Sequence, residues 1–96
     1  MIAHIVLFKL REATDASVAE TVAMLKSMGG NVPMLRHLEV GADFIRSERS
    51  YDVALYSRFD SREDLAAYQV DPYHAGTVVP YMKSVCSAIV AADYEL

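Results

Sequence analysis

The sequence predicts an α+β domain in which helices cover one face of an antiparallel sheet. Three observations lead to this prediction. The chain opens with a nearly continuous apolar run over residues 2–10, two capping-box patterns mark helix starts, and apolar residues alternate over 35–44 and 51–59 as in paired strands. Together these patterns give the order β-α-β-β-α-β, which is the split βαβ arrangement.

The first strand and the first helix are predicted from the opening 30 residues. Residues 2–10 are rich in β-branched and apolar side chains, as in a strand that is covered on both faces. The spacing of Ser17 and Glu20 is typical of a capping box and predicts a helix over 15–28. Gly29-Gly30 is expected to end that helix, because glycine readily adopts the left-handed conformation that follows helices.

The middle of the chain predicts a hairpin followed by a second helix. Residues 35–44 and 51–59 alternate between apolar and polar side chains and are separated by a short polar connection, which favours two antiparallel strands. Ser61 and Asp64 form a second capping-box pattern, so we expect a helix from there through Val70.

A helix break around Asp71 and Pro72 separates the second helix from the last one. Asp71 is predicted to be the N-cap of a helix that starts at Pro72 and that Pro80 kinks or restarts, before a final strand near 85–94. His74 then lies in the first helical turn. The positive end of the helix dipole disfavours an imidazolium there, so we expect a neutral side chain that can serve as a general base.

Composition limits the classes of protein to which the chain can belong. The 96 residues are 53% apolar and 23% charged, which indicates a single folded domain over 1–96. A net charge of -4 argues against a nucleic-acid partner, and no apolar run approaches the roughly 20 residues that span a bilayer. With one cysteine, Cys86, and no basic leader before the opening apolar run, we expect a cytoplasmic protein.

The last strand predicts a homodimer. A sheet that is apolar on both sides, with helices for only one of them, must bury its second face elsewhere, and pairing of two sheets does this. In the last strand we expect one side to carry Val85, Ile89 and Ala91 and the other to carry Cys86, Ala88, Val90 and Ala92.

Short segments along nearly the whole chain resemble the stress-responsive A/B barrel family, also called dimeric α/β-barrel proteins. The resemblance implies a ferredoxin-like subunit whose sheet pairs with that of a second subunit across a two-fold axis. The matching segments are His4-Ile5-Val6-Leu7-Phe8-Lys9-Leu10, Glu39-Val40-Gly41, Phe59-Asp60-Ser61, Tyr68, Pro72-Tyr73-His74 and Asp93-Tyr94-Glu95.

The resemblance also implies a set of site residues. In the family's plant olivetolic acid cyclase, an intramolecular aldol cyclase, a strand-one histidine, a tyrosine and a histidine after a proline form the site. The matching catalytic candidates here are His4, Tyr68 and His74. Asp71 stands where the family often has histidine, and a long alkyl pocket is not expected, because few bulky aromatic residues follow. We expect a small apolar pocket lined by Val6, Phe8 and Tyr81.

Several functions are compatible with these residues. A cofactor-free lyase or cyclase could act on a phenolic or ketide-like substrate, with His74 as base, the Tyr68 hydroxyl donating to an enolate oxygen, and His4 orienting the substrate. The alternatives are a non-catalytic ligand-binding or stress-associated dimer, in which His4 is merely satisfied inside the core, and an oxygenase-like dimeric barrel. We expect neither a metal nor a cofactor, an inert buried thiol at Cys86, and a surface or interface position for His37.

Overall fold

A computed structural model describes all residues from 1 to 96. The elements in chain order are β1 (Ile2–Leu10), α1 (Asp15–Lys26), β2 (His37–Ala42), β3 (Val53–Phe59), α2 (Arg62–Gln69), a π-helical segment (His74–Val78) that continues as α3 (Val79–Val85), and β4 (Cys86–Glu95). The predicted order and the ferredoxin-like α+β class are confirmed. None of the helices is both long enough and apolar enough to cross a membrane.

The four strands form one antiparallel sheet in the order β2-β3-β1-β4, so β1 lies between β3 and β4. Residues directly opposite each other in such a sheet point to the same face. His4 lies opposite Ser57 on one side and Asp93 on the other. All three side chains therefore point to the face that the helices cover.

A β-bulge at the start of β4 changes which residues face the helices. Leu10 pairs with Cys86, but Lys9 pairs with Ala88, so Ser87 is an extra residue in the ladder. Cys86 is consequently buried in the core. The prediction that it shares a face with Val90 is wrong, and so is the prediction that Val85 belongs to the strand, because Val85 ends α3.

The first helix begins where predicted but is capped by a different residue. The Thr14 hydroxyl accepts a hydrogen bond from the Ser17 N–H at 3.1 Å, and the Ser17 hydroxyl accepts one from the Thr14 N–H at 3.0 Å. The expected pairing of Ser17 with Glu20 is therefore wrong, since Thr14 closes a capping box one turn earlier. The helix ends at Lys26, two residues before the predicted end. Further along, the Ser61 hydroxyl caps α2 as expected by accepting from the Asp64 N–H at 3.1 Å.

The helix break positions the second half of the site. The Asp71 carboxylate accepts hydrogen bonds from the N–H groups of Tyr73 at 3.0 Å and His74 at 3.1 Å, so its predicted N-cap role is confirmed. The Val79 N–H then bonds to the His74 carbonyl five residues back, which makes this turn π-helical. The wide turn immediately precedes Pro80, which has no N–H with which to continue an α-helical ladder.

The sheet face that points away from the helices is mostly apolar over β1 and β4, and no other part of the single chain covers it. Leu7 is 36% exposed, Val90 44% and Tyr94 47%, which are high values for large apolar side chains in a sheet. The apolar residues on this outer sheet face are Ala3, Ile5, Leu7, Ala54, Tyr56, Ala88, Val90, Ala92 and Tyr94. Lys9, His37, Glu39, Gly41 and Arg58 lie on the same face.

Candidate functional site

A cavity of about 320 Å³ lies between the helix-covered face of the sheet and the last helical segment. Its volume is at the lower end of the range for small-molecule sites. Most of its wall is apolar, and the polar groups are few. The lining residues used below are His4, Val6, Phe8, Tyr68, His74, Val79, Met82, Lys83, Ile89 and Asp93.

His4 enters the cavity from the centre of the sheet. It is only 6% exposed, and its Nδ1 hydrogen bonds to a carboxylate oxygen of Asp93 on the neighbouring strand. Its Nε2 makes no hydrogen bond and is not enclosed by protein, because the only enclosed side-chain nitrogen or oxygen without a partner belongs to His74. Asp93 therefore orients the ring and leaves Nε2 available to the cavity.

Tyr68 lies between the two histidines. Its ring stacks on that of His74 with 3.9 Å between the ring centroids, and it meets the ring of His4 edge to face at 5.7 Å. The Tyr68 hydroxyl donates a hydrogen bond to Met28 Sδ at 3.6 Å. Burial, and to a smaller extent Asp71, raise the pKa of Tyr68 well above its usual value, so the phenol stays protonated.

His74 is the polar group of the cavity whose hydrogen bonds are incomplete. Its Nδ1 is enclosed by protein and has no hydrogen-bond partner. Burial has the largest effect and lowers the pKa of His74. The Tyr68 backbone carbonyl is near enough to raise the pKa, although it does not meet the geometry of a hydrogen bond to Nδ1; His4 lowers the pKa further and Asp71 raises it. The predicted neutral form is therefore favoured, although burial and not the helix dipole is the main cause.

The structure brings the three predicted catalytic residues together, and it places two of the three predicted lining residues in the cavity wall. Val6 and Phe8 line the cavity, whereas Tyr81 does not and packs against the core instead. The reason is helical phase: Val79 and Met82 share the face that points to the cavity, and Tyr81 lies roughly 100° of helical rotation away from Met82.

Asp93 and Lys83 are cavity residues that sequence reasoning missed. In the sequence Asp93 stands out only as part of a closing Asp-Tyr-Glu segment, and its pairing with His4 depends on the register between the first and last strands. Lys83 lies four residues after Val79 on one helix face, so that spacing could have indicated it.

The other candidate groups lie away from the cavity or in unreactive surroundings. His37 is on the outer side of β2, where its Nε2 is 2.5 Å from a Glu39 carboxylate oxygen and its ring meets Tyr56. Cys86 is buried, which raises the pKa of its thiol. No three His, Cys, Asp or Glu side chains are grouped so that they could hold a metal ion. A larger groove of about 490 Å³ between α1 and β2 contains no histidine, cysteine or tyrosine.

Comparison with known protein families gives a match over almost the whole chain. The profile of the Stress Responsive A/B Barrel Domain family matches residues 2–96. A curated relative from Arabidopsis thaliana, a stress-response A/B barrel domain-containing protein, is 30% identical over 98% of this chain. The chain spans 36% of the length of that relative.

Solved structures show the same fold. A dimeric ferredoxin-like protein of unknown function from Thermobifida fusca is 26% identical, with a TM-score of 0.85 over 99% of this chain and 90% of that one. The hydroxynitrile lyase from Passiflora edulis is 17% identical, with a TM-score of 0.83 over 99% and 92% of the two chains. At that identity the likeness to the lyase concerns the fold alone.

Proposed function

Because the chain belongs to the Stress Responsive A/B Barrel Domain family, we propose that it is a cofactor-free acid–base catalyst of the lyase or cyclase type. In this proposal the cavity binds a small, largely apolar carbonyl compound of phenolic or ketide-like character and removes a proton next to its carbonyl. The observation that supports it best is the position of the half-buried His74 imidazole in the cavity wall, where Nδ1 has no hydrogen-bond partner and burial lowers the pKa of the ring.

His74 is the proposed base. Its Nδ1 faces away from open space, whereas Nε2 is not enclosed and is the nitrogen that can reach a ligand. Nε2 takes the proton from the carbon next to the carbonyl, which leaves an imidazolium and an enolate. A general base with a pKa below neutrality is present in its active, unprotonated form at pH 7.

His4 and Tyr68 are the proposed partners of the enolate oxygen. Asp93 fixes the His4 ring through Nδ1, so that Nε2 faces the cavity and can donate to that oxygen when it carries a proton. The Tyr68 hydroxyl can donate to the enolate oxygen only if it gives up its hydrogen bond to Met28. Losing that bond costs little free energy, because a thioether is a weak acceptor.

Proton exchange of a simple ketone tests this proposal without knowledge of the natural substrate. Phenylacetone in D₂O loses its methylene proton signals as the base removes protons and returns deuterons from solvent. We expect the protein to accelerate this loss over buffer, and we expect His74→Gln to slow it by about 10²-fold, the usual contribution of a general base. Tyr68→Phe reports whether the phenol takes part. Proton NMR measures every rate.

The matched control is His37→Gln, which removes a histidine that lies outside the cavity. This variant should exchange phenylacetone as fast as the unaltered protein. The proposal is wrong if the unaltered protein is no faster than buffer containing the same concentration of imidazole, or if His74→Gln and His37→Gln behave alike.

A non-catalytic ligand-binding protein is the second candidate. It is favoured by one observation: Tyr68 is 2% exposed, and its hydroxyl already donates to Met28 within the core. In that case phenylacetone would shift the NMR signals of cavity residues but would exchange its protons no faster than in buffer.

We also propose that two copies pair through the outer sheet face, which would bury the large apolar side chains exposed there. The dimeric Thermobifida protein of similar fold supports this assembly. Val90 and Ile89 offer a matched pair, because they are 44% and 45% exposed on opposite faces of β4. Light scattering should give twice the chain mass for the unaltered protein and for Ile89→Glu, and a single chain mass for Val90→Glu. A single chain mass for the unaltered protein at micromolar concentration would refute the dimer.

A further inference from the structure

The cavity wall contains one basic side chain that forms no ion pair. The Asp93 carboxylate hydrogen bonds to His4 Nδ1, and burial lowers the pKa of His74, which favours its neutral form. Lys83 lines the same cavity and takes part in none of the ion pairs of the chain. An ammonium group at the edge of an apolar cavity attracts an anion there, because no neighbouring carboxylate neutralises it.

His74 lies at the start of the last helical segment, and Lys83 lies near its end. Lys83 follows His74 by nine residues along this segment, which is about 13 Å at the usual rise per residue. Helical side chains lean toward the N-terminus, so the Lys83 ammonium reaches back toward the reactive end and shortens this span.

The wall between the two ends is apolar. Val79 and Met82 line it on the helix side, while Phe8 and Ile89 line it on the sheet side, where they are directly opposite each other. A ligand that fills this section therefore needs an apolar body, and Lys83 is the unpaired cation that can bind an anionic group on it.

We propose that the ligand of this cavity is a small apolar carboxylic acid, whose carboxylate is bound by Lys83 while its body occupies the apolar section. This inference deepens the proposed function and rests on it for the position of the reactive carbonyl, which would lie beside His4 and His74. The binding of the acid itself requires no proton abstraction. The net charge of -4 makes general attraction of anions elsewhere on the surface weak.

A pair of ligands that differ only in charge tests the inference. The probes are 3-phenylpropanoate and 3-phenylpropanamide, which share the same body and nearly the same shape. We expect the acid to bind the unaltered protein about tenfold more tightly than the amide, as a partly exposed charge-assisted hydrogen bond allows. In Lys83→Gln the two affinities should become equal. Isothermal titration calorimetry gives the affinities, and the Met82 methyl signal shows that both probes occupy the cavity.

Lys26→Gln is the matched control, because Lys26 lines the separate groove between α1 and β2. It should keep the tenfold preference for the acid. The inference is overturned if the acid binds the unaltered protein no more tightly than the amide, if Lys83→Gln keeps the preference, or if neither probe binds. These results are independent of phenylacetone exchange, so a failed acid–base mechanism and a failed carboxylate site can be told apart.

Discussion

Two enclosed polar groups of this domain have opposite surroundings. Asp52 is 1% exposed and accepts hydrogen bonds at 2.7 Å from both the Leu10 N–H and the Arg46 guanidinium. His74 Nδ1 is also enclosed and has no partner. Asp52 lies at the end of β1 that faces the hairpin loop, and His74 lies in the cavity wall.

The difference indicates which of the two groups serves the fold. An enclosed polar group without a partner costs free energy, and most such groups in folded proteins are therefore satisfied. Asp52 follows this rule through its bonds to the Leu10 N–H and to Arg46, a residue with a left-handed φ of 58°. His74 breaks the rule at the one cavity where two histidines and a tyrosine meet. Because the other ring nitrogen, Nε2, is the one that can reach a ligand, this cost in stability indicates that His74 serves the site and not the fold.

Replacing Asp52 should have the largest effect on stability. In Asp52→Asn the amide nitrogen must face either the Leu10 N–H or the Arg46 guanidinium, which sets donor against donor. We expect the free energy of unfolding to fall by about 3 kcal/mol, as when one partner of a buried charged pair is removed. Urea unfolding followed by circular dichroism measures it.

An exposed ion pair supplies the control for Asp52. Arg36 Nε lies 2.9 Å from Asp60, and the two side chains are 48% and 50% exposed. Asp60→Asn should therefore cost less than about 1 kcal/mol. Equal losses from both substitutions would contradict the structural role assigned to Asp52.

The pH dependence of the Asp52 effect has a definite sign. Burial by itself raises the pKa of Asp52, but the Leu10 N–H and Arg46 outweigh it, so the pKa lies below its usual value. The carboxylate therefore contributes stability above about pH 4, the unfolded value, and loses it as the pH falls through the lowered folded value. The gap between the unaltered protein and Asp52→Asn should narrow in that acidic range.

Much of the fold could be predicted from the sequence, because its signals are local. The first strand has the predicted limits, and the helix break at Asp71 follows from the chemistry of proline and of N-caps. The hairpin strands are each two residues shorter than predicted at one or both ends, because apolar alternation continues into residues that have no partner in the ladder. The bulge at Ser87 has no local signal and was missed.

The candidate site was only partly predictable. The family resemblance identified His4, Tyr68 and His74 as one set of site residues, and the structure places their rings next to one another. The resemblance did not indicate that the Tyr68 hydroxyl hydrogen bonds to Met28, 40 residues away, or that Asp93 hydrogen bonds to His4, 89 residues away. Both contacts depend on strand register and helix packing, which a single sequence does not specify.

Replacing His74 should have a smaller effect than replacing Asp52, and one of opposite sign. In His74→Phe an aromatic ring still covers Tyr68, but the enclosed nitrogen without a partner is gone. We expect the free energy of unfolding at pH 7 to rise by about 1 kcal/mol, the usual cost of an unsatisfied buried polar group, while phenylacetone exchange is lost. Urea unfolding and proton NMR measure the two effects.

The stabilisation by His74→Phe should grow as the pH falls. This pH dependence tests whether His74, unlike Asp52, is an enclosed group without a hydrogen-bond partner. Because burial lowers the pKa of His74, the unfolded chain binds a proton at this position more readily than the folded one. The unaltered protein therefore loses stability as the pH drops below about 6.5, the unfolded value, until the lowered folded value is passed. His74→Phe lacks this loss, so its advantage should increase across that window and stay constant below it. If His74→Phe were the less stable protein at every pH, the His74 nitrogen would have to be satisfied in solution, and it would then resemble Asp52.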